Sequence, residues 1–207
     1  MEYDFIGRLI SAIDPKGKIT LYSYDVLNRI QDITDALNGK TIFSYDQNGN
    51  LLTVKDAKNQ TITYTYDVRD KVTTMMDQLG KTETYSYDQS DNLLSVIDRK
   101  GQTTSYQYDL MNRPTKATYA DGNTTSYLYD VVRRLTDIND SISGPIHYEY
   151  SNTGCSACGG AIDKVIQEIT PLGSISYTYD AIGRRSSMTV AGQPTVNYNY
   201  DADNTLT

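Results

Sequence analysis

A tyrosine returns every 21 residues along most of this chain, and few features restrict a fold more. Taking the second tyrosine of a Tyr-x-Tyr-Asp motif as marker, the positions are 3, 24, 45, 66, 87, 108, 129 and 150, each step 21. After one step of 29 the register resumes at 179 and 200. The motif residues are Tyr24-Asp25, Tyr45-Asp46, Tyr66-Asp67, Tyr87-Asp88, Tyr108-Asp109, Tyr129-Asp130, Tyr179-Asp180 and Tyr200-Asp201. A fixed period of this length is the mark of a repeat architecture. The whole of 1–207 reads as one array of about ten repeats.

Each repeat carries two turn signals. Asp25-Val26-Leu27-Asn28 places Asp first and Asn fourth, and Asp14-Pro15-Lys16-Gly17 places Asp first and Gly fourth. Asp caps a type I turn through its side chain, and Gly, Asn or Asp tolerates the left-handed conformation that follows. The first pattern recurs at Asp4–Gly7, Asp46–Gly49, Asp67–Asp70, Asp88–Asp91, Asp109–Asn112, Asp180–Gly183 and Asp201–Asn204. The second recurs at Asp35–Asn38, Asp56–Asn59, Asp77–Gly80 and Asp98–Gly101, with Thr170–Gly173 as a variant. Two turns in 21 residues leave two strands of about six residues, an ordinary strand length. The prediction is all-β: a meander in which every repeat is one antiparallel hairpin.

Strand composition agrees. Tyr22 and Tyr24 are two apart and share a face, with Thr20 beside them, while Ser23 points the other way. The strand after the turn has apolar residues at Leu9, Ile30, Leu51, Val72, Leu93 and Leu135, and again three residues on at Ala12, Ile33, Val54, Met75, Val96 and Ile138. Three is an odd spacing, so strict alternation fails and a bulge is expected near the turn. Like residues of neighbouring hairpins would stand together, each tyrosine contact contributing roughly 0.2–1 kcal/mol. About twenty strands exceed what a twisted open sheet carries without curling, so a spiral or shell wall is expected. Tyr66, Tyr87 and Tyr108 are predicted to be buried in a row.

The irregular step holds an insertion. Lys164 follows Tyr150 by 14 residues where Arg8 follows Tyr3 by 5, so nine residues enter the turn, at about 155–163. They include Cys155-Ser156-Ala157-Cys158. Four readings stay open for that pair: a local disulfide in an oxidising compartment, free structural thiols, half of a zinc site, or a redox pair.

Composition excludes some functions. A net charge of -7, from 26 acidic and 19 basic residues, argues against a nucleic-acid surface. No apolar run reaches the roughly 18 residues of a membrane span. Tyr, with 19 copies against no Trp, joins Leu, Ile and Val as a burying residue whose hydroxyl needs a partner. Met1 and Thr207 both fall inside repeats and no signal-peptide pattern is visible, so the sequence reads as a length of a longer array. Unpaired edge strands at the two ends predict end-to-end self-association.

The motif Tyr3-Asp4-Phe5-Ile6-Gly7-Arg8-Leu9, with Tyr179-Asp180-Ala181-Ile182-Gly183-Arg184 next, resembles the YD repeats of the Rhs family. That family includes bacterial polymorphic toxins, insecticidal toxin-complex subunits and teneurins. The resemblance implies a spiralling β-sheet wound into a hollow shell, which in the toxins encloses a C-terminal toxic polypeptide. It also implies a secreted or cell-surface parent protein. The shell-closing segment, the self-cleavage site and the variable toxin of the family are not among these residues, so the sequence holds wall only.

No catalytic, cofactor-binding or metal-binding residue is assigned. His147 stands at a strand position that is usually Ser or Thr in the other repeats and reads as a surface residue. The Asp rows could in principle bind cations, but turn capping explains them. Arg8, Arg29, Lys71, Arg113, Arg134 and Arg184 are expected to pair with turn carboxylates. The leading reading is a non-enzymatic scaffold segment whose partners are an enclosed polypeptide or further repeats. The alternative is an extracellular adhesive or fibrous surface module binding glycans or cells, with the tyrosine rows as a sugar-stacking platform.

Overall fold

The computed structural model describes residues 1–151 and 163–207, and among them every regular element is a strand. The chain divides into two compact units, Met1–Thr103 and Thr104–Thr207. The first holds β1 (Glu2–Tyr3), β2 (Leu9–Ile13), β3 (Ile19–Tyr24), β4 (Ile30–Thr34), β5 (Lys40–Tyr45), β6 (Leu51–Lys55), β7 (Thr61–Tyr66), β8 (Val72–Met76), β9 (Thr82–Tyr87) and β10 (Leu93–Ile97). The second holds β11 (Thr103–Tyr108, but for its first residue), β12 (Pro114–Thr118), β13 (Thr124–Tyr129), β14 (Leu135–Asp140), β15 (Gly144–Tyr150), β16 (Val165–Thr170), β17 (Gly173–Tyr179), β18 (Arg185–Val190) and β19 (Val196–Asn197). Within each unit consecutive strands pair antiparallel.

The turns form as the Asp…Gly/Asn spacing predicts. Asn28 N donates to Asp25 O at 3.1 Å and Asp25 N to Arg29 O at 2.9 Å, and the same pair of bonds closes the other Asp-led turns. The fourth residue is left-handed throughout, with φ of 64° at Asn28, 86° at Gly7 and 61° at Asp70. Two further turns of this kind carry weaker sequence signals: Tyr119–Gly122 starts with Tyr, and Asp130–Arg133 ends on an arginine at φ 77°. Thr170–Gly173 differs from expectation. Thr170 pairs directly with Gly173 across a two-residue loop of Pro171 and Leu172.

The bulge is present and explains the odd apolar spacing. Ser23 faces Asp32 but Tyr24 faces Ile30, so Gln31 is the extra residue. One bulge returns Ile30 to the face that already holds Ile33, which stands opposite Tyr22. The register repeats at Phe43–Val54 and Tyr45–Leu51, at Tyr64–Met75 and Tyr66–Val72, and at Tyr127–Ile138 and Tyr129–Leu135. One face is thus a lattice of tyrosines and aliphatic residues. The other pairs hydroxyls: Thr65 Oγ1 lies 2.6 Å from Thr74 Oγ1, and Ser86 Oγ 2.7 Å from Ser95 Oγ.

Burial is the point of correction. Tyr66, Tyr87 and Tyr108 are half-buried rather than buried. Among the described residues only Ala117, Ser11 and Thr125 are buried, and no large side chain is fully enclosed. The strands of each unit pack edge to edge against their sequence neighbours, so each ring is covered from the sides while part of it stays open.

Candidate functional site: the first-turn rim

Within each unit the motif residues converge at the rim where its first turns line up. The tyrosine comes first in the chain of contacts. Its hydroxyl reaches the preceding hairpin. Tyr24 Oη donates to Leu9 O at 2.8 Å, Tyr45 Oη to Ile30 O at 2.9 Å and Tyr66 Oη to Leu51 O at 2.8 Å. In the second unit Tyr129 reaches Pro114 O, Tyr150 reaches Leu135 O, Tyr179 reaches Val165 O and Tyr200 reaches Arg185 O. The apolar body packs while the polar tip satisfies a backbone carbonyl at the end of a strand. Tyr87 and Tyr108 hold the same place opposite Leu93 and Pro114.

The aspartate follows. Asp25 Oδ1 accepts from the amides of Leu27 and Arg29, both at 2.9 Å. Oδ1 of Asp46, Asp67, Asp88, Asp109, Asp130, Asp180 and Asp201 likewise accepts the amide four residues on. These bonds favour the charged form. The backbone N–H of Arg29 foremost, against some desolvation and with help from its side chain, holds the Asp25 carboxyl below its usual range. At Asp109 the Arg113 side chain is the leading cause, and at Asp88 the Asn92 side-chain amide.

The arginine then joins one hairpin to the next. Arg8 Nε donates to Asp4 Oδ2 at 2.6 Å, its Cζ lies 4.6 Å above the Tyr24 ring, and its Nη1 donates to Asn28 Oδ1 at 2.6 Å. Arg184 repeats all three contacts with Asp180, Tyr200 and Asn204. Arg29, Arg113 and Arg134 cover Tyr45, Tyr129 and Tyr150 at 4.3–4.5 Å. Arg29 Nη1 faces a glycine, Gly49, at the left-handed position of the next turn and donates instead to Asp46 O at 3.1 Å. Lys71 differs from the arginines: its Nζ lies 3.3 Å from Asp91 of the next turn, which Arg69 also contacts at 2.8 Å.

The sequence marks the fourth residue of each turn for its backbone but not for its second role, as acceptor of the preceding hairpin's side chain. It relieves backbone strain, and when it is Asn or Asp it also accepts the incoming side chain. The spacing of 20 between Arg8 and Asn28, and between Arg184 and Asn204, was the available signal.

Other expectations fall elsewhere. His147 Nδ1 lies 2.7 Å from Asp137 Oδ1 on the hydroxyl face, away from the rim. Cys155 and Cys158 lie outside the described residues. Among the described residues no group of three His, Cys, Asp or Glu side chains is placed to hold a metal ion, and no helix is long and apolar enough to cross a membrane.

Comparison with known proteins bears on this rim directly. The model of the RHS repeat matches residues 66–102 and 87–124, and the teneurin YD-shell model matches residues 1–79. A search of curated protein sequences finds no match. Among solved structures, the crystal structure of TcdB2-TccC3 without its hypervariable C-terminal region superposes with TM-score 0.74 at 14% identity, over 97% of this chain and 13% of that one. The TcdB2-TccC3 crystal structure gives 0.73 at 16% identity, over 94% and 13%. The Tc holotoxin pore of Photorhabdus luminescens, carrying a TccC3 substitution, gives 0.71 at 15% identity, over 93% and 12%. At these identities the likeness is one of fold, and the chain spans only 12–13% of the length of those three chains. The two family models fall on one 21-residue register, on the tyrosines, aspartates and arginines that join hairpin to hairpin: the chain belongs to the Rhs/YD-repeat family.

Proposed function

We propose that this chain is a length of wall in a larger Rhs-type protein, one array of repeats that scaffolds and does not catalyse. Its parent, secreted or displayed at the cell surface, encloses and delivers a C-terminal polypeptide toxin. The observation that carries the reading is where the motif side chains go. The tyrosines, aspartates and arginines whose contacts are given above go to bonds within a turn or to the adjacent hairpin, as at Arg8, which holds Asp4, Tyr24 and Asn28 together. A repeat built this way makes continuous surface, and repetition spreads its residues evenly instead of gathering a reactive constellation.

The glycan-binding alternative uses the same tyrosines differently. A sugar platform needs free ring faces, and guanidinium groups already cover Tyr24, Tyr45, Tyr129, Tyr150 and Tyr200. This favours the wall.

The test is to express the complete open reading frame and digest it with protease under native conditions. A wall that encloses cargo leaves a C-terminal polypeptide protected until the array is unfolded. A chain that ends in further repeats and an anchor, with nothing protected, overturns the cargo reading and supports the adhesive module.

A further inference from the structure

Three asparagines in the chain are followed two residues later by a hydroxyl: Asn59-Gln60-Thr61, Asn123-Thr124-Thr125 and Asn139-Asp140-Ser141. This triplet is the acceptor signal for N-linked carbohydrate, since the transferring enzyme reads the hydroxyl and loads the side-chain amide nitrogen. The product is bulky and hydrated, so the fold decides which of the three can carry it.

Asn123 is half-buried and both ends of its amide are engaged. Its Nδ2 donates to Asp121 Oδ2 at 2.6 Å, and its Oδ1 accepts from Ser141 Oγ at 3.2 Å. Its hydroxyl partner Thr125 is buried and donates to Asp140. Asn139 stands inside β14, paired with Ser126 on one side and Pro145 on the other, so carbohydrate there would lie across three strands.

Asn59 is placed otherwise. It is the fourth residue of the turn Asp56–Asn59, exposed and left-handed at φ 63°. Among the described residues its side chain makes no hydrogen bond. Three other second turns have glycine at the same corner, Gly17, Gly80 and Gly101, and a Cβ built on any of them meets nothing within 4 Å. A side chain at this corner therefore leads straight into solvent. The turn is closed by backbone alone on that side, Asn59 N to Asp56 O at 3.0 Å and Asp56 N to Gln60 O at 2.9 Å, so loading the side chain costs it nothing.

We infer that Asn59 is the acceptor of an N-linked glycan. Its Nδ2 displaces the diphosphate from the anomeric carbon of a lipid-linked oligosaccharide. An N–C bond replaces the C–O bond, the lipid diphosphate leaves with the bonding pair, and the amide gives up one proton. The inference rests on the secreted or surface-displayed parent of the proposed function and needs no cargo.

The full chain, exported behind a secretion signal by a eukaryotic host, tests it by intact mass. One glycan is expected, removed by peptide-N-glycosidase with conversion of Asn59 to aspartate. Asn59→Gly, which keeps the left-handed corner, and Thr61→Ala, which keeps the asparagine, should each abolish it. Asn123→Gln should leave it in place. Circular dichroism confirms that every variant folds. A folded, exported chain without carbohydrate overturns the inference, as does a glycan that survives Asn59→Gly. The host supplies the export, so either failure leaves the wall reading untouched.

Discussion

The joints at Arg8 and at Asn50 solve one problem with different residues. Arg8 spans from its own Asp4 across the Tyr24 ring to Asn28 of the next turn. Asn50, at the equivalent place, donates through one amide to Asp46 Oδ2 at 3.0 Å and to Asp70 Oδ1 at 2.6 Å. Both bridge a turn aspartate to the left-handed residue of the next turn. The acceptor changes with the donor. A guanidinium meets the neutral Asn28, whereas the neutral amide meets the anionic Asp70. The geometry is what the repeat keeps, while the chemistry at each end is exchangeable. What the Asn joint gives up is the cover over the ring: no guanidinium lies over Tyr66 among the described residues.

The largest expected effect comes from removing rings on the two sides of this comparison. Tyr45→Ala loses a half-buried ring and the bond to Ile30 O, and should cost about 2–3 kcal/mol, below the 3–5 of a fully buried aromatic. Tyr66→Ala should cost about 0.5–1 kcal/mol less, the share of the cation–π contact that only Tyr45 has. Urea unfolding of both variants measures the difference. Equal losses would mean that the guanidinium adds nothing. The damage should stay in the flanking hairpins, because repeat stability is close to a nearest-neighbour sum.

Acid should act on both kinds of joint alike. Asp25, Asp88 and Asp109 all have carboxyls held below the usual 3.8, the first by a backbone amide, the second by Asn92 and the third by Arg113. A depressed pKa gives stability that is complete above the unfolded value and is lost as pH falls through the folded one. Stability should therefore be level near neutrality and decline below about pH 4. Alkali works through the tyrosine face. The bond to Glu83 chiefly, with burial, pushes Tyr85 to about 12 from 10.0, so its contribution is present below pH 10 and lost as pH rises toward 12. A pH series of thermal midpoints checks both limbs. Stability that stays level well below pH 4 would show that these carboxyls do not hold the turns.

Much of this was legible in the sequence, for reasons that particular residues show. Asp25 and Asn28 announce a turn because each has a local physical task that few residues perform. The odd interval between Leu9 and Ala12 announced the bulge because a strand has period two. The turn at Asp130–Arg133 was hidden, since arginine is not a usual left-handed residue, and that at Tyr119–Gly122 lacks the leading Asp. The joints were hidden too. Arg8 and Asn28 are 20 residues apart, and nothing local distinguishes an arginine that stays on its own turn from one that reaches the next. Burial was overread, because tyrosine marks a packed position without saying how many sides are covered.

Arg133 is where the comparison fails, and it marks a repair. Its φ of 77° is strained for a residue with a branched-out side chain, and as a cation it cannot accept the side chain arriving from Arg113. Arg113 Nη1 is correspondingly buried without a hydrogen-bond partner. Arg133→Asn restores the arrangement of Arg8 with Asn28. It should raise stability by about 1–2 kcal/mol, part from relieved backbone strain and part from the new bond. Arg133→Gly, which relieves only the strain, should gain less. Thermal unfolding of the two variants separates the terms, and a loss of stability in both would refute the double role of the fourth turn residue.

The smallest effect is the most direct test of exchange. Arg8→Asn alone should weaken the first joint, because the shorter amide meets Asn28, a neutral acceptor. Asn28→Asp alone should change little, since the Arg8 guanidinium gains an anionic acceptor while the left-handed backbone is kept. Together they rebuild the pair formed by Asn50 and Asp70. The double variant should be more stable than the sum of the single effects by about 0.5 kcal/mol, the size of a partly exposed polar coupling. The Tyr24 ring loses its guanidinium in both Arg8→Asn backgrounds, so that contribution cancels in the cycle. A coupling of zero would show that Asn50 and Asp70 meet without holding their hairpins together, leaving the tyrosine hydroxyls and the strand ladders to do so.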